Sequence, residues 1–561
     1  MNTTHPVIRK RIEMFERNGW WANKTLNDMF REAVGSVPNE PALLDQPNKS
    51  RILEGEAQRF TWKELDNEVG LYAATLKKLG LGKGDILLIQ LPNVAELVII
   101  FLAASRLGVI ISPVPVQYGR HEIELIANQL KPTLFIGATH SGEHDLTGGV
   151  AGLDVGRRAW FGSGEPINDT SFNSILDTLK KNGSGVADDL ENDANGVFTI
   201  CWTSGTSGTP KGVPRTHNQW VAIAQATYEA AKVQKGDVLL NPFPFVNMAS
   251  IGGFLYNWLR SYSTLVLHHP LDLQVYLTQI QEEKVSFTIA PPALLNMLLK
   301  NDELMSNFDI SSLRSIASGS APLSPWMVQG FAEKYDIGVV NLFGSNEGCS
   351  IVSSVEDIPD HEQRATYFPR FGVEGLEWKA SVSKMMKTRL RDISTGEIIT
   401  ETGKPGELEI FGATLFDNYL GQEPDDPEVF TGDGYFRTGD LFEIQGDQQP
   451  AQFYRFVGRC KDVVIRGGFN ISPDELDIAL AAHPKLIEAA TVGYPCEDMG
   501  ERICVFVVPK ENESVTLDDV RKHLKSCGFA SFKLPERIES TEALPRNALG
   551  KVVRNQLREK L

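Results

Sequence analysis

Cysteine and long apolar runs are both scarce in this chain of 561 residues. The six cysteines have no C-x-x-C spacing, which argues against a zinc site or a disulfide framework and favours a reducing compartment. The longest apolar stretch, residues 97–105, is far shorter than the ~20 residues that a membrane-spanning helix needs. Residues 1–10 lack the apolar core of a signal peptide. We therefore expect a cytoplasmic protein without a transmembrane segment.

Positive charge is also in short supply. Lysine and arginine number 55 against 72 aspartates and glutamates, which gives a formal net charge of −17 at pH 7. The overall charge is therefore not the basic one that is typical of nucleic-acid-binding proteins, and we expect no nucleic-acid partner. Hydrophobic residues at 42% and charged residues at 23% exclude wholesale disorder.

Helix and strand patterns alternate in the first part of the chain. The T-x-x-E sequence at residues 61–64 predicts a capping box, and the apolar residues that follow at steps of three and four predict a helix to Leu79. Residues 86–91 read as a buried strand, with a second helix from Glu96 and a strand at 109–111. Such alternation predicts an α/β fold with a mostly parallel sheet.

The pattern changes near residue 461 to that of a compact α+β unit. The sequence SPDE at 472–475 predicts another capping box and a helix through Ala482, and strands are expected at 489–492 and 503–508. We place the boundary at 458–461, which predicts an N-terminal domain of residues 1–457 and a C-terminal domain of residues 458–561.

The sharpest local signal is the sequence TSGTSGTPKG at residues 203–212, directly after the apolar run 197–202. A strand that ends in small and hydroxylic residues exposes many backbone N–H groups in one concave loop, which suits a polyphosphate, and Lys211 adds a positive charge. The spacing differs from the G-x-x-x-x-G-K-[ST] of P-loop proteins, so a P-loop phosphotransferase is disfavoured.

This loop resembles the signature of the adenylate-forming superfamily, which includes acyl-CoA synthetases, aryl-acid adenylating enzymes and firefly-type luciferases. Further motifs follow in that family's order: FGSNE at 343–347, YFRTGDL at 435–441, GRCKDVVIRGGFNISPDE at 458–475 and PRNALGKVVR at 545–554. The resemblance covers nearly the whole chain. It implies a large N-terminal domain of helix-covered α/β sheets with a small β-barrel subdomain, and a small mobile C-terminal α+β domain.

The resemblance also implies a reaction and its residues. The family joins a carboxylate to ATP and expels pyrophosphate, a step that needs cations and donors already in place. Thr203, Glu347 and Lys551 are the implied catalytic residues, Glu347 as the ligand of Mg²⁺, and Asp440 would accept the ribose hydroxyls. The residues implied in ATP binding are Thr203, Ser204, Gly205, Thr206, Ser207, Gly208, Thr209, Lys211, Gly319, Ser320, Ala321, Asn341, Phe343, Gly344, Ser345, Asn346, Asp440, Phe456, Arg459 and Lys551. Because Lys551, Glu347 and Asp440 are all present, a catalytically inactive nucleotide binder is disfavoured.

Lys461 falls where the family swivels its small domain between two half-reactions. One orientation would bring Lys551 to ATP, and the other would bring Gly467, Gly468 and Phe469 to the active site. Two glycines there leave room for the pantetheine arm of coenzyme A.

The acid pocket departs from the family pattern. Asn247 stands where the family often has His, and neither Asn247 nor Met248 carries the negative charge that would pair with the ammonium of an amino acid. Met248, Ile251 and Phe254 suggest an apolar cavity or, equally, core packing. A medium-chain, alicyclic or aryl acid is therefore expected, and the choice among them stays open.

We expect the thiol acceptor to be a separate molecule, because the sequence shows no carrier module after Lys551. We favour free coenzyme A, with a separate carrier protein as the alternative. Arg466, Lys533, Arg537 and Arg546 are candidates for contacts with the coenzyme A phosphates, although scattered surface charges give the same pattern. Whether the protein forms a homodimer stays open.

Overall fold

The computed structural model describes residues 5–183, 193–203, 210–466, 469–496, 498–547 and 551–561. By packing, the chain divides into two units. The first comprises residues 1–387 and 411–436, and the second comprises residues 388–410 and 437–561.

The first unit alternates helices and strands. Its helices are α1 (Pro6–Arg17), α2 (Leu26–Ser36), α3 (Trp62–Lys78), α4 (Ala95–Leu107), α5 (Arg120–Leu130), α6 (Phe172–Lys181), α7 (His217–Ala230), α8 (Met248–Ser250), α9 (Tyr256–Ser261), α10 (Leu273–Glu282), α11 (Pro292–Lys300), α12 (Asp302–Met305), α13 (Pro325–Tyr335) and α14 (His361–Thr366). Its strands are β1 (Pro41–Leu44), β2 (Arg59–Thr61), β3 (Ile86–Gln90), β4 (Ile110–Pro113), β5 (Leu134–Ala138), β6 (His140–Ser141), β7 (His144–Asp145), β8 (Arg157–Phe161), β9 (Thr170–Ser171), β10 (Val197–Thr203), β11 (Lys211–Thr216), β12 (Val238–Asn241), β13 (Thr264–Leu267), β14 (Phe287–Ile289), β15 (Ser315–Gly319), β16 (Gly338–Gly344), β17 (Ser350–Ser353) and β18 (Tyr367–Pro369).

Two large sheets organise this unit. One has the strand order β17-β16-β15-β14-β12-β13-β1-β2 and is parallel from β16 to β1. The other has the order β11-β10-β4-β3-β5-β8-β9 and is parallel from β10 to β9. The predicted α/β class with mostly parallel sheets is confirmed.

Local sequence explains how the first helices form. The predicted capping box of α3 is present, because Thr61 and Glu64 exchange side-chain and backbone hydrogen bonds. The apolar residues at steps of three and four from Leu65 to Leu76 are all buried. Helix α4, which lacks a polar face, buries residues on all sides, as such a sequence requires.

The chain from residue 386 onward forms smaller sheets. The strands are β19 (Met386–Arg391), β20 (Ile398–Ile399), β21 (Pro405–Gly412), β22 (Phe436–Gln445), β23 (Phe453–Arg459), β24 (Val464–Arg466), β25 (Phe469–Ile471), β26 (Leu486–Cys496), β27 (Gly500–Pro509) and β28 (Arg537–Ser540). The helices are α15 (Pro473–Leu480), α16 (Leu517–Ser526) and α17 (Arg554–Arg558). Strands β23-β22-β21-β19-β20 form the small β subdomain, and β25-β24-β27-β26, with β28 beside β27, form the sheet of the C-terminal α+β part.

The second predicted capping box is wrong, although the helix begins where it was expected. Ser472 makes no side-chain cap, because its hydroxyl donates instead to the carbonyl of Val457. Glu475 pairs with Lys533 rather than turning back to the helix start. The helix ends at Leu480, two residues before Ala482.

The predicted architecture of a large N-terminal α/β part and a small C-terminal α+β part is confirmed. Packing assigns residues 388–410 and 437–457 to the second unit. Packing does not decide where a hinge lies, so the domain boundary at 458–461 and the hinge near Lys461 stay predictions. Within the described ranges, none of the helices has the length and apolar character needed to cross a membrane.

Candidate active site

The carboxyl ends of the parallel strands bring together the segments predicted for adenine and for the acid. Strand β12 ends at Asn241 just before residues 243–251, β15 ends at Gly319 and β16 ends at Gly344. Because these strands run parallel in one sheet, their carboxyl ends share one edge. Ligands of open α/β sheets bind at that edge.

Strands β15 and β16 approach each other closely at this edge. Gly319 pairs with Leu342, and a Cβ on Gly319 would overlap the carbonyl oxygen of Leu342. The next residue, Ser320, has the left-handed backbone angle φ +68°, which is uncommon for a residue other than glycine. The turn leaves Ser320 and Ala321 exposed beyond the end of β15.

The glycine-rich loop joins the two strands of a hairpin. Strands β10 and β11 are antiparallel, with Thr203 opposite Lys211 and Trp202 opposite Gly212. The pairing fixes Lys211 beside Thr203. The connecting residues predicted to bind phosphate, namely Ser204, Gly205, Thr206, Ser207, Gly208 and Thr209, lie outside the described residues.

Tyr419 links Lys211 to Glu347. Its hydroxyl donates a 2.9 Å hydrogen bond to Glu347 Oε1, and Lys211 Nζ lies 4.7 Å from the centroid of its ring. Burial, together with the Glu347 carboxylate, raises the pKa of the Tyr419 phenol, so the phenol remains a donor at neutral pH. The attraction of a cation to an aromatic face holds Lys211 near the same point.

The backbone of Glu347 is hydrogen-bonded as well as its side chain. The carbonyl oxygen of Glu347 accepts a 2.9 Å hydrogen bond from Arg215 Nη1 and another of 2.9 Å from the N–H of Phe416. Arg215 also donates to the carbonyl of Thr414. Burial lowers the pKa of Arg215 to about 10, which leaves the guanidinium charged at pH 7. Glu347 is therefore fixed from two sides.

Glu347 fits an Mg²⁺ ion that arrives with ATP. The side chain supplies hard oxygen ligands, and the residue is 8% exposed. In the part of the chain that the structure describes, no group of three or more His, Cys, Asp or Glu residues is placed to hold a metal. One carboxylate suits Mg²⁺, which keeps several waters and takes most of its other ligands from substrate phosphates.

Asn346 joins the ends of strands from both large sheets. Its Nδ2 donates to the carbonyl of Trp202 at 3.1 Å, and its Oδ1 accepts from the N–H of Met248 at 2.9 Å. Trp202 immediately precedes Thr203, and Met248 opens the segment predicted to bind the acid. The amide thus ties the strand that precedes the phosphate loop to the acid segment.

The acid segment begins with a helix start. Asn247 Oδ1 accepts from the N–H of Ser250 at 3.4 Å and caps α8. Met248 lies against Gly344, where a Cβ would overlap its Cε atom. A π-helix at Ile251–Leu255 follows, a rare form that is frequent at functional sites. Ile251 is completely buried, whereas Asn247 and Met248 are half-buried.

Other predicted residues on β16 contact the protein itself. Asn341 Nδ2 donates to the carbonyls of Arg364 and Ala365 at 3.1 and 3.0 Å. The ring of Phe343 meets that of Phe368 edge to face, with centroids 6.0 Å apart. Ser345 Oγ is buried without a hydrogen-bond partner among the residues that the structure describes.

In the second unit, the predicted ribose residues form a pair. Asp440 and Arg459 lie opposite each other on β22 and β23, and Arg459 Nε is 3.3 Å from Asp440 Oδ1. The Phe456 ring packs against the ring of Phe442, with centroids 5.4 Å apart. Burial, Glu407 and Asp440 raise the pKa of Cys460 to about 12.

The predicted hinge and terminal lysines also lie in the second unit. Burial and the neighbouring Arg459 lower the pKa of Lys461. The N–H of Lys551 donates to Asn547 Oδ1 at 3.0 Å. Gly467 and Gly468 lie outside the described residues, and only the backbone of Phe469, the first residue of β25, is described.

Each side chain considered for the coenzyme A phosphates has a carboxylate partner. The pairs are Arg466–Glu536, Lys533–Glu475, Arg537–Glu539 and Arg546–Glu488. Their charges are thus compensated within the second unit, and a phosphate would have to compete with these carboxylates.

Sequence reasoning missed Tyr419 and Arg215. Tyr419 follows Glu347 by 72 residues, and Arg215 precedes it by 132. Neither residue lies in a motif that indicates chemistry, so only the fold brings them to Glu347.

Comparison with known proteins agrees with this arrangement. Residues 30–420 match the AMP-binding enzyme family, and residues 475–551 match the AMP-binding enzyme C-terminal domain. The chain is 25% identical to a probable CoA ligase, CCL5, of Humulus lupulus, over 97% of each chain. It is 24% identical to a vibriobactin-specific 2,3-dihydroxybenzoate-AMP ligase of Vibrio cholerae, over 97% of this chain and 95% of that protein.

The fold has solved counterparts. The crystal structure of ATP-bound MatB from Rhodopseudomonas palustris superposes with a TM-score of 0.77 at 22% identity, covering 96% of this chain and 99% of that one. The family match spans well over half of the sequence and includes Thr203, Lys211, Glu347 and Tyr419. The chain therefore belongs to the AMP-binding enzyme family of adenylate-forming acid ligases.

Proposed function

We propose that this protein is an ATP-dependent acid–thiol ligase that forms an acyl-adenylate and then an acyl-CoA thioester. The proposal is carried by one observation above the others. Glu347, Tyr419 and Lys211 are linked by a hydrogen bond and a cation–π contact, at the base of the hairpin whose loop suits a polyphosphate.

In the first step a carboxylate oxygen of the acid attacks the α-phosphorus of ATP, and the bond to pyrophosphate breaks. Lys211 lies at the base of the phosphate loop and offsets negative charge there. Glu347 would hold Mg²⁺, and the ion would supply positive charge to offset that of the leaving pyrophosphate. Asp440 accepts the ribose hydroxyls, and Lys551 contacts the carboxylate and the α-phosphate. These last roles follow from the motifs.

The acid is monoanionic and its remainder is largely apolar. Asn247 and Met248 carry no charge, so an amino acid's ammonium group would lose water there without a counter-ion. The half-buried Met248 side chain offers an apolar contact beside the strand end that carries Glu347. Medium-chain, alicyclic and aryl acids all meet these conditions.

In the second step the acceptor thiol attacks the acyl carbonyl, and AMP leaves. We favour coenzyme A as the acceptor. The similarity to the probable CoA ligase of Humulus lupulus supports this choice. The step requires the C-terminal domain to turn near Lys461, so that the segment with Gly467 and Gly468 replaces Lys551.

A second candidate is an aryl-acid adenylating enzyme that loads a separate carrier protein. It is favoured by the similarity to the 2,3-dihydroxybenzoate-AMP ligase. The ion pairs of Arg466, Lys533, Arg537 and Arg546 also leave these side chains without the uncompensated charge that coenzyme A phosphates would seek.

The test is mass spectrometry of the protein incubated with ATP, Mg²⁺, coenzyme A and a panel of short, medium, long, alicyclic and aromatic acids. An acyl-CoA product supports the first candidate and names the acid class. Acyl-adenylate and pyrophosphate without a thioester support the carrier-loading candidate. If ATP is not consumed with any acid, both are contradicted.

A further inference from the structure

Helix α1 contacts the segment of residues 413–420, which carries Tyr419. Arg11 Nη1 lies 3.5 Å from Asp417 Oδ1, and the Arg11 guanidinium lies 4.9 Å from the centroid of the Phe430 ring. After the helix, Trp21 Nε1 donates to the carbonyl of Ala413 at 3.1 Å. The N-terminal region thus contacts segment 413–420 at its first residue, Ala413, and at its middle, Asp417.

Asp417 is a charged residue in a largely buried position. Its side chain is 18% exposed, and its second oxygen accepts a 2.8 Å hydrogen bond from Gln219 Nε2 on α7. A carboxylate so little exposed is costly unless it is paired and hydrogen-bonded, and Arg11 supplies the opposite charge. Burial raises the pKa of Asp417, while Arg11 opposes that rise.

The other face of segment 413–420 contacts the candidate active site. The N–H of Phe416 donates to the carbonyl of Glu347 at 2.9 Å, and the N–H of Leu420 donates to the carbonyl of Gly212 at 2.8 Å. Between them, the Tyr419 hydroxyl holds the Glu347 carboxylate. The segment therefore connects α1 on one side with Glu347 and the base of the phosphate hairpin on the other.

We propose that Arg11 and Asp417 are positioning residues, through which helix α1 fixes segment 413–420 so that Tyr419 holds the Glu347 carboxylate for catalysis. The match to the family begins at residue 30, so α1 lies outside it. The assignment gives a role in the reaction to a helix that the family's motifs do not include. It rests on the proposed function only where activity is the readout.

The contact itself is tested without substrate, by hydrogen–deuterium exchange of the full chain. In Arg11→Ala the amides of residues 413–420 should exchange about tenfold faster, because the pair that holds the segment is lost. The matched control is Arg9→Ala. Arg9 lies on the same helix but is paired with Glu13 at the surface, with 73% of its side chain exposed. Equal exchange in Arg11→Ala and the wild-type protein would overturn the proposal.

The consequence for catalysis is tested by ATP–pyrophosphate exchange with an accepted acid. Arg11→Ala should lower kcat about tenfold with the KM of the acid unchanged, and Arg11→Lys, which keeps the charge, should recover most of the rate. In a Tyr419→Phe background, Arg11→Ala should cost less than about twofold, because the route through Tyr419 is already broken.

Additive losses in the double variant, or equal losses in Arg11→Lys and Arg11→Ala, would show that Arg11 does not act through Tyr419. Should the wild-type protein catalyse no exchange with any acid, the proposed function fails, and the deuterium measurement still decides whether α1 fixes the segment.

Discussion

The phenol of Tyr419 donates a 2.9 Å hydrogen bond to the carboxylate of Glu347. The bond holds Oε1 of the carboxylate that would bind Mg²⁺ under the proposed function. Such a bond would favour catalysis, because a metal ligand that is already oriented stabilises the transition state without first having to reorient.

Tyr419→Phe removes this hydrogen bond and keeps the ring beneath Lys211. We expect kcat for pyrophosphate exchange to fall about tenfold and the Mg²⁺ concentration for half-maximal rate to rise, because the Glu347 carboxylate is no longer oriented. The melting temperature should change by less than about 3 °C.

The matched control is Tyr262→Phe, since Tyr262 contacts Lys235 through its ring. Its kinetics should equal those of the wild-type protein. A Tyr419→Phe variant with an unchanged rate and an unchanged Mg²⁺ requirement would show that the hydrogen bond does not serve catalysis.

Asn346→Ala breaks the link between the strand that precedes the phosphate loop and the acid segment. The variant leaves the carbonyl of Trp202 and the N–H of Met248 without their partner, which should cost about 1–3 kcal/mol in the free energy of unfolding. We also expect a higher KM for the acid, measured by pyrophosphate exchange. Asn346→Asp should keep the bond from Met248 and lose the one to Trp202, with an intermediate effect. An acid KM equal to that of the wild-type protein in both variants would contradict the role of this link.

Acid should destabilise the first unit through His217. Its Nδ1 accepts from the N–H of Leu26 at 3.1 Å and lies 3.1 Å from the hydroxyl of Tyr256, so the buried ring is neutral with its proton on Nε2. Burial lowers the pKa of His217 from 6.5 to about 3. Because the folded-state pKa lies below the unfolded value, this contribution is complete above pH 6.5 and is lost as the pH falls toward 3. The loss amounts to about 1.4 kcal/mol per pH unit.

Urea unfolding between pH 7 and pH 4 measures this slope. His217→Asn, whose Oδ1 can accept the same bonds, should unfold with a smaller pH dependence than the wild-type protein. Identical slopes for the two proteins would mean that His217 does not titrate on unfolding.

Arg554 should position Lys551, which lies three residues before it in the chain. Arg554 Nη2 pairs with Asp477 at 2.7 Å and also with Asp474, and its Nε donates to the carbonyl of Thr491 at 3.1 Å. We expect Arg554→Ala to slow acyl-adenylate formation at least about tenfold and to spare thioester formation from supplied acyl-adenylate. The control is Arg558→Ala. Arg558 lies nearer the end of the chain, and its Nη2 is 3.2 Å from Asp462 Oδ1. Equal effects on both half-reactions would contradict a role specific to Lys551.

The two half-reactions should separate in a second pair of variants. Lys551→Ala should abolish formation of the acyl-adenylate and still convert supplied acyl-adenylate into thioester. Gly467→Leu should do the reverse, because a large side chain would obstruct the pantetheine arm. Both half-reactions are followed by mass spectrometry. Equal loss of both steps in both variants would contradict domain alternation.

Local sequence predicted much of the fold because its signals act over a few residues. The capping box of α3 and the strand before the phosphate loop both depend on neighbours in sequence. The second capping box failed because a carbonyl fifteen residues away competes for the Ser472 hydroxyl. Tyr419 could not be predicted for the same reason, since its partner lies 72 residues away.

The most direct test of the account follows oxygen from the acid. The acid accepted most readily is labelled with ¹⁸O in its carboxylate and incubated with ATP, Mg²⁺ and coenzyme A, and the AMP is examined by mass spectrometry. Attack of the carboxylate on the α-phosphorus predicts one ¹⁸O atom in each AMP formed. Unlabelled AMP, or ADP with ¹⁸O in inorganic phosphate, would contradict the adenylation step on which the proposed function depends.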